Sequence, residues 1–127
     1  MGSVLDTKVV IEIAAGNKRV LDEVLALDST FCLTAITRFE LLLGDLTDEE
    51  RFWIGQLTSL PFDDKASDVA AYLFKELRRQ GKPLSLRDLF IGAICISQGM
   101  RLITMDRDLR VLEGHGLELH LVSESQT

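Results

Sequence analysis

Residues 85–108, SLRDLFIGAICISQGMRLITMDRD, constrain the fold more than any other stretch of this chain. Leu89, Phe90, Ile91, Ala93, Ile94, Cys95 and Ile96 leave a helix almost no polar side, so the helix must lie buried between other elements. Gly99 follows its last turn, at the position where a left-handed backbone closes a helix. Arg101 to Thr104 then reads as a short apolar strand. A buried helix stopped by glycine and followed at once by a buried strand is the repeating unit of a parallel α/β sheet. An acid stands at each end of this unit, Asp88 in the first turn of the helix and Asp106 with Asp108 just after the strand.

The rest of the chain repeats the alternation. Val4 and Leu5 form a strand that ends in Asp6. Lys8 to Ala15 is expected to be helical, although its β-branched residues, Val9, Val10, Ile11 and Ile13, also fit a longer strand. Asn17 caps a helix through Leu27, Phe31 to Leu33 is a buried strand, and Thr34 to Gly44 is a helix. Thr47 and Glu50 form a capping box for the helix carrying Phe52, Trp53, Ile54 and Leu57. Ser59 to Phe62 reads as a strand that Pro61 places near an edge. Asp63 or Asp64 caps a long amphipathic helix to Gln80. After the 85–108 unit come a brief helix at Leu109 to Leu112, a turn at Gly114 and Gly116, and a last strand from Leu117 to Val122. Residues 123–127 are polar and are expected to fray. The pattern predicts a single domain over 1–127, an α/β fold with helices on both faces of a parallel sheet of four to five strands.

Composition narrows the function. The 127 residues are 46% hydrophobic, enough for one packed core. No apolar run reaches membrane-spanning length, and the N-terminus lacks the basic and apolar regions of a signal peptide. Cys32 and Cys95 both sit in apolar runs and read as buried reduced thiols, in keeping with a cytoplasmic protein; a disulfide between them stays open at this level. The net charge of −6 weighs against a protein that lives on nonspecific phosphate contacts. It does not exclude a nuclease whose acids surround a cation.

The order of elements sends the acids to one place. In a parallel sheet, sites form outside the carboxyl ends of the strands, and the helices that return from that edge start there. Asp6 ends the first strand. Glu40 lies between one and two turns into the helix after the second. Asp88 opens its helix, and Asp106 and Asp108 follow the fourth strand. Taken singly, each has an ordinary explanation: Thr37-x-x-Glu40 and Ser85-x-x-Asp88 resemble capping boxes, and Asp6 and Asp106 could be simple caps. Capping does not explain why the set recurs at one edge. Two like charges 4 Å apart near a protein surface cost about 4 kcal/mol, so such a cluster takes up protons or binds a cation. Its donors are hard oxygens and the chain has no Cys/His set of zinc spacing, which favours Mg²⁺ or Mn²⁺.

These residues resemble the PIN domain family, and within it the VapC toxins of toxin–antitoxin pairs. The resemblance rests on Leu5-Asp6-Thr7, on Thr37-Arg38-Phe39-Glu40-Leu41, on Asp88, Ile91 and Ala93 as D-x-x-I-x-A, and on Thr104, Asp106 and Asp108 as T-x-D-x-D. It covers essentially the whole chain. It implies a Rossmann-like three-layer α/β/α sandwich and a metal-dependent endoribonuclease. By the same resemblance Asp6, Glu40, Asp88 and Asp106 are the catalytic acids and, with Asp108, the ligands of one or two Mg²⁺ ions, for which Mn²⁺ can substitute. Thr7 and Thr104 match the hydroxyls that orient the carboxylates. The expected partners are an RNA substrate, a VapB-like antitoxin whose basic tail reaches the acids, and a second copy in a homodimer. The chain departs from many relatives in carrying Lys8 after Asp6-Thr7, where a small polar residue is usual.

The remaining candidates are plainer. Arg38, Arg87, Arg101 and Arg107 flank the acids or their elements and are expected on solvated surface or against RNA. Phe52 and Trp53 suit either an antitoxin groove or the core, and His115 and His120 read as surface residues. Two other functions compete: a PIN scaffold that acts by protein binding alone, and a phosphoacceptor receiver domain. A receiver needs paired acids after its first strand and a lysine after its last. Here Asp6 stands alone and no lysine follows Lys82.

Overall fold

A computed structural model describes residues 2–123, so of the tail expected to fray only Ser123 is among the described residues and 124–127 lie outside them. The elements are β1 (Ser3–Leu5), α1 (Thr7–Ala14), α2 (Lys18–Leu27), β2 (Phe31–Thr34), α3 (Ala35–Leu42), α4 (Asp48–Gly55), β3 (Thr58–Leu60), α5 (Asp64–Arg79), α6 (Leu86–Gln98), β4 (Arg101–Thr104), a 3-10 segment (Arg107–His115) and β5 (Leu119–Leu121). The strands form one parallel sheet in the order β3-β2-β1-β4-β5.

Strand alternation divides the core between two faces. Val4, Cys32 and Leu102 point to the side covered by Ala70, Leu73 and Leu77 of α5 and Leu89, Ile91 and Cys95 of α6. Their neighbours Leu5, Leu33 and Ile103 point to the other side, under Val9 and Val10 of α1, Val20 and Val24 of α2, and Ile54 of α4. The result is the expected three-layer α/β/α sandwich. Both cysteines are buried and free. No helix among the described residues is long and apolar enough to cross a membrane.

Local chemistry sets the boundaries. The β-branched run after Asp6 is helical: the Asp6 carboxylate accepts the Thr7 N–H at 2.8 Å, and Val9 and Val10 face the core while Ile11 is exposed. Residue β-propensity yields here to a face that packs against the sheet. Thr34 ends β2 rather than opening the next helix, and its hydroxyl accepts the Thr37 N–H as the cap of α3. The Thr47/Glu50 capping box forms with both of its bonds, at 3.1 and 2.8 Å, and α4 ends at Gly55, before Leu57. Strand β3 lies at the sheet edge, as Pro61 requires, but stops at Leu60; Phe62 packs into the core beside Phe90 instead. The 3-10 segment is longer than the helix expected at 109–112, and β5 is shorter than the strand expected at 117–122. Gly99 closes α6 with φ 66°.

Two features of this frame position the site. The strand order runs outward from β1 in both directions, so a crevice opens at the carboxyl ends of β1 and β4. The backbone bond from Asp6 N–H to the Ile103 carbonyl, 2.9 Å, ties those two ends together. On the α6 side, a methyl group added to Gly92 would collide with Leu112 Cδ1, so the glycine lets α6 approach the 3-10 segment closely.

Candidate active site

The crevice between β1 and β4 is a cavity of about 380 Å³ lined by Asp6, Lys8, Arg87, Thr104, Met105 and Asp106. Asp6 is buried at its floor. One carboxylate oxygen accepts the Thr7 N–H, and the other accepts the Thr104 hydroxyl at 2.6 Å. Thr104 Oγ1 in turn accepts the Asp106 N–H at 3.1 Å, so one hydroxyl at the end of β4 fixes two acids. Thr7 Oγ1 donates to Glu40 Oε1 at 2.6 Å and lies 3.0 Å from the Thr37 hydroxyl. Both threonines therefore stand where they orient carboxylates.

Glu40 and Asp88 are not engaged as caps. The cap of α3 is Thr34, and Glu40 projects from mid-helix toward Thr7. Ser85 does cap α6, accepting the Asp88 N–H at 3.2 Å, yet the Asp88 carboxylate turns to an arginine. Asp106 does cap the 3-10 segment, accepting the Asp108 N–H at 2.9 Å. One oxygen each of Asp88, Asp106 and Asp108 lies within 4.8 Å of the others, spacing that suits a shared cation.

Arg87 departs from expectation. It is neither solvated surface nor free for RNA: two-thirds of its side chain is buried, and its guanidinium sits among the acids. Nε reaches both oxygens of Glu40 at 3.0 and 2.8 Å, Nη1 reaches Asp88 Oδ1 at 2.6 Å, and Nη2 reaches Asp6 Oδ1 at 2.8 Å and Thr7 Oγ1 at 3.0 Å. Three of the four expected catalytic acids, Asp6, Glu40 and Asp88, thus share one arginine, while Asp106 and Asp108 do not bond it and form a second group with Asp88. Arg101 also departs: it lies at the start of β4, at the opposite end of the sheet, bonded to Ser3 Oγ and the Leu27 carbonyl. His120 is paired with Glu23 at 2.7 Å, Phe52 is 70% exposed, and Trp53 packs against the α1–α2 side of the core.

The electrostatics follow from these contacts. Burial pushes the Asp88 carboxyl up, the adjacent Asp106 carboxyl pushes it further, and Arg87 opposes both, leaving it at about 6. Burial also works to raise Glu40, but hydrogen bonds from Arg87 and Thr7 outweigh it and hold its pKa below the usual range. Burial disfavours the charge on Arg87, and its contacts with Glu40, Asp6 and Asp88 overcome that, so the guanidinium stays charged. Burial first, and the Asp106 carboxyl second, thus outweigh Arg87, and Asp88 holds its proton above the normal carboxylate range.

The PIN domain family model matches residues 3–114 of this sequence. The chain belongs to the PIN domain family. Among curated proteins it is 44% identical over 94 residues to Ribonuclease VapC3 of Methanocaldococcus jannaschii, a match covering 74% of this chain and 98% of that protein. It is 36% identical over 121 residues to Ribonuclease VapC5 of Mycobacterium tuberculosis, covering 87% of each. Among solved structures, VapBC-5 of M. tuberculosis, a member of the VapBC family of toxin-antitoxin systems, superposes with a TM-score of 0.70 at 25% identity, over 95% of this chain and 98% of that one. DNA-bound VapBC from Salmonella typhimurium gives a TM-score of 0.80 at 22% identity, covering 97% and 99%, which bears on the fold alone.

Within this PIN domain the sequence-expected acids, Asp6, Glu40, Asp88, Asp106 and Asp108, meet at one sheet edge with Thr7 and Thr104. Sequence reasoning missed the part played by Arg87. The only local hint is that a helix N-terminus disfavours a cation, which marks an arginine in the first turn of α6 as unusual without saying what it bonds. A second feature also escaped it. Next to the acid cavity, and sharing Lys8 and Met105 with it, runs a cleft of about 710 Å³ whose lining includes Arg19, Arg107 and Arg110.

Proposed function

We propose that this PIN domain is a VapC-type ribonuclease, the toxin of a toxin–antitoxin pair, which hydrolyses RNA phosphodiester bonds with a divalent cation. The observation that carries the reading is the open oxygen group of Asp88, Asp106 and Asp108, beside Asp6 and Glu40, at the carboxyl edge of a PIN sheet. All its donors are carboxylates, which fit Mg²⁺ with Mn²⁺ as substitute. When bound, the ion supplies a lowered pKa for coordinated water and charge stabilisation at phosphorus. The chain does the rest. The Thr104 hydroxyl and the Thr7 N–H hold the two oxygens of Asp6, and the first of these bonds ties the end of β4 to the end of β1; Thr7 Oγ1 holds Glu40, and Thr104 also fixes Asp106. The cleft beside the acids is lined by Lys8, Arg19 and Arg110, with Glu12 as the one acid among the described residues of its lining, and so offers cations to an RNA backbone in a protein that is acidic overall.

The partner assignments rest on surface chemistry and on the VapBC relatives. A groove of about 260 Å³ lined by Val10, Ile11, Leu41, Leu46 and Ile54 includes Glu40 in its wall, so an apolar segment seated there leads directly to the acids. Its other acidic residues, Asp45 and Glu50, suit a VapB-like antitoxin with a basic tail. A separate apolar recess at Phe74, Leu77, Pro83 and Leu84 suits a second copy in a homodimer. The cytoplasm, where RNA and antitoxin meet, is the proposed location.

One observation favours a second reading, a PIN scaffold without catalysis: Arg87 bonds three of the acids. The test uses purified chain freed of antitoxin and an RNA substrate. Cleavage in Mg²⁺ or Mn²⁺ that chelation abolishes and Asp6→Asn removes supports the nuclease. Neither Mn²⁺ binding nor cleavage, with Asp6→Asn behaving as wild type, overturns it.

A further inference from the structure

This inference rests on the nuclease reading and concerns how many metal ions the site holds. Arg87 stands second in α6, where the N-terminal end of the helix works against a positive charge, so helix stability does not account for it. Nor is it an ordinary surface ion pair, since a single guanidinium bonds acids from three elements: Asp6 after β1, Glu40 in α3 and Asp88 in α6. Its planar fork matches several carboxylates at once, which a lysine ammonium cannot do in the same geometry.

The oxygens that Arg87 takes are the ones a cation lying between Asp6, Glu40 and Asp88 would need. Both Glu40 oxygens, Asp6 Oδ1 and Asp88 Oδ1 point at guanidinium nitrogens at 3.0 Å or less. The other oxygen of Asp6 is committed to Thr104. The open group of Asp88, Asp106 and Asp108 shares only Asp88 with the arginine's set. The edge therefore contains two cation positions joined through Asp88, one filled by the chain itself and one shaped for an ion.

We propose that Arg87 is a built-in second cation: the site takes one divalent ion, at Asp88, Asp106 and Asp108, and Arg87 holds the place of a second between Asp6, Glu40 and Asp88. A second dication in that place would press like charges together within the same small cavity unless the arginine left it. Arg87 thereby sets the metal stoichiometry and keeps Asp6 and Glu40 positioned whether or not the ion is bound.

The experiment counts ions. Mn²⁺ binding to the full chain is followed by the loss of the free-ion paramagnetic resonance signal and by calorimetry, for wild type, Arg87→Ala and Arg87→Lys. Circular dichroism verifies folding. The expected result is one ion per chain for wild type, two for Arg87→Ala, and one for Arg87→Lys, which keeps the charge. Two ions on wild type overturn the proposal even if neither variant folds, and so does a single ion on a folded Arg87→Ala. No ion on wild type removes the nuclease reading itself and this inference with it, so the two failures are told apart.

Discussion

The two ends of the central sheet each pair an arginine with carboxylate, and they differ in charge balance. At the amino end Arg101 bonds Ser3 Oγ and the Leu27 carbonyl and faces one acid, Asp28, at 3.8 Å. Asp28 is itself satisfied by the Ser3 hydroxyl at 2.9 Å. At the carboxyl end Arg87 meets three carboxylates, and Asp106 and Asp108 stand beside them. The first cluster is complete as it stands and its acid is held below the usual carboxylate range, chiefly by the Ser3 hydroxyl. The second holds five carboxylates around one guanidinium, and one of its acids, Asp88, is pushed up to about 6 by burial first and by Asp106 second. A structural ion cluster closes its own charge, whereas a site built for a cation leaves charge over.

The contrast can be broken by mutation. Asp106→Asn removes an open-group ligand while keeping its shape, and RNA cleavage is expected to fall by about 100-fold or more, the scale of deleting one electrostatic group from a preorganised site. Thr104→Val removes the hydroxyl that fixes Asp6 and Asp106, and the expected loss is about 10-fold, typical of a group that orients a metal ligand. Both are read as initial rates on a fluorogenic RNA. Gly92→Ala forces Leu112 to repack between α6 and the 3-10 segment; it should destabilise the fold by about 1–3 kcal/mol in denaturant titration. Arg101→Gln is expected to lower the melting temperature and leave cleavage per folded molecule unchanged. A loss of cleavage in Arg101→Gln matching that of Asp106→Asn would erase the distinction between the two ends.

Acidity separates the acids of the carboxyl end as well. The folded pKa of Asp88, about 6, exceeds its ordinary value of 3.8, so the folded, metal-free chain binds that proton more tightly than the unfolded one. Its contribution to stability is complete below about pH 4 and is lost as pH rises through about 6. Glu40 has the opposite sign: its folded pKa is lowered, so its contribution is present above the ordinary carboxylate range and disappears as pH falls. Thermal midpoints measured in chelator should decline from about pH 4 to about pH 6 on account of Asp88, and Asp88→Asn should flatten that slope.

Much of this was legible in the sequence because strand ends and helix starts are local. Asp6, Asp88 and Asp106 could be placed at one edge from element order alone, Gly99 marked the end of α6, and Pro61 marked an edge strand. Glu40 was harder. Thr37-x-x-Glu40 resembles a capping box along the chain, and only the folded structure shows that Thr34 caps α3 and that Glu40 turns to Thr7 instead. Arg87 was not legible in its role. It is adjacent to Asp88 along the chain, and which way its long side chain turns depends on Asp6 and Glu40, which arrive from other elements. Arg101 misled for the converse reason: it shares a strand with Thr104, but the strand's length carries it to the far end of the sheet.

The account turns on whether the carboxyl-end acids hold a dication. Crystals of the chain soaked in Mn²⁺ and measured at the manganese absorption edge test this directly. An anomalous peak bonded to oxygens of Asp88, Asp106 and Asp108 is the result the account predicts. A peak elsewhere, such as at the Glu23–His120 pair, or none at saturating Mn²⁺, would contradict it.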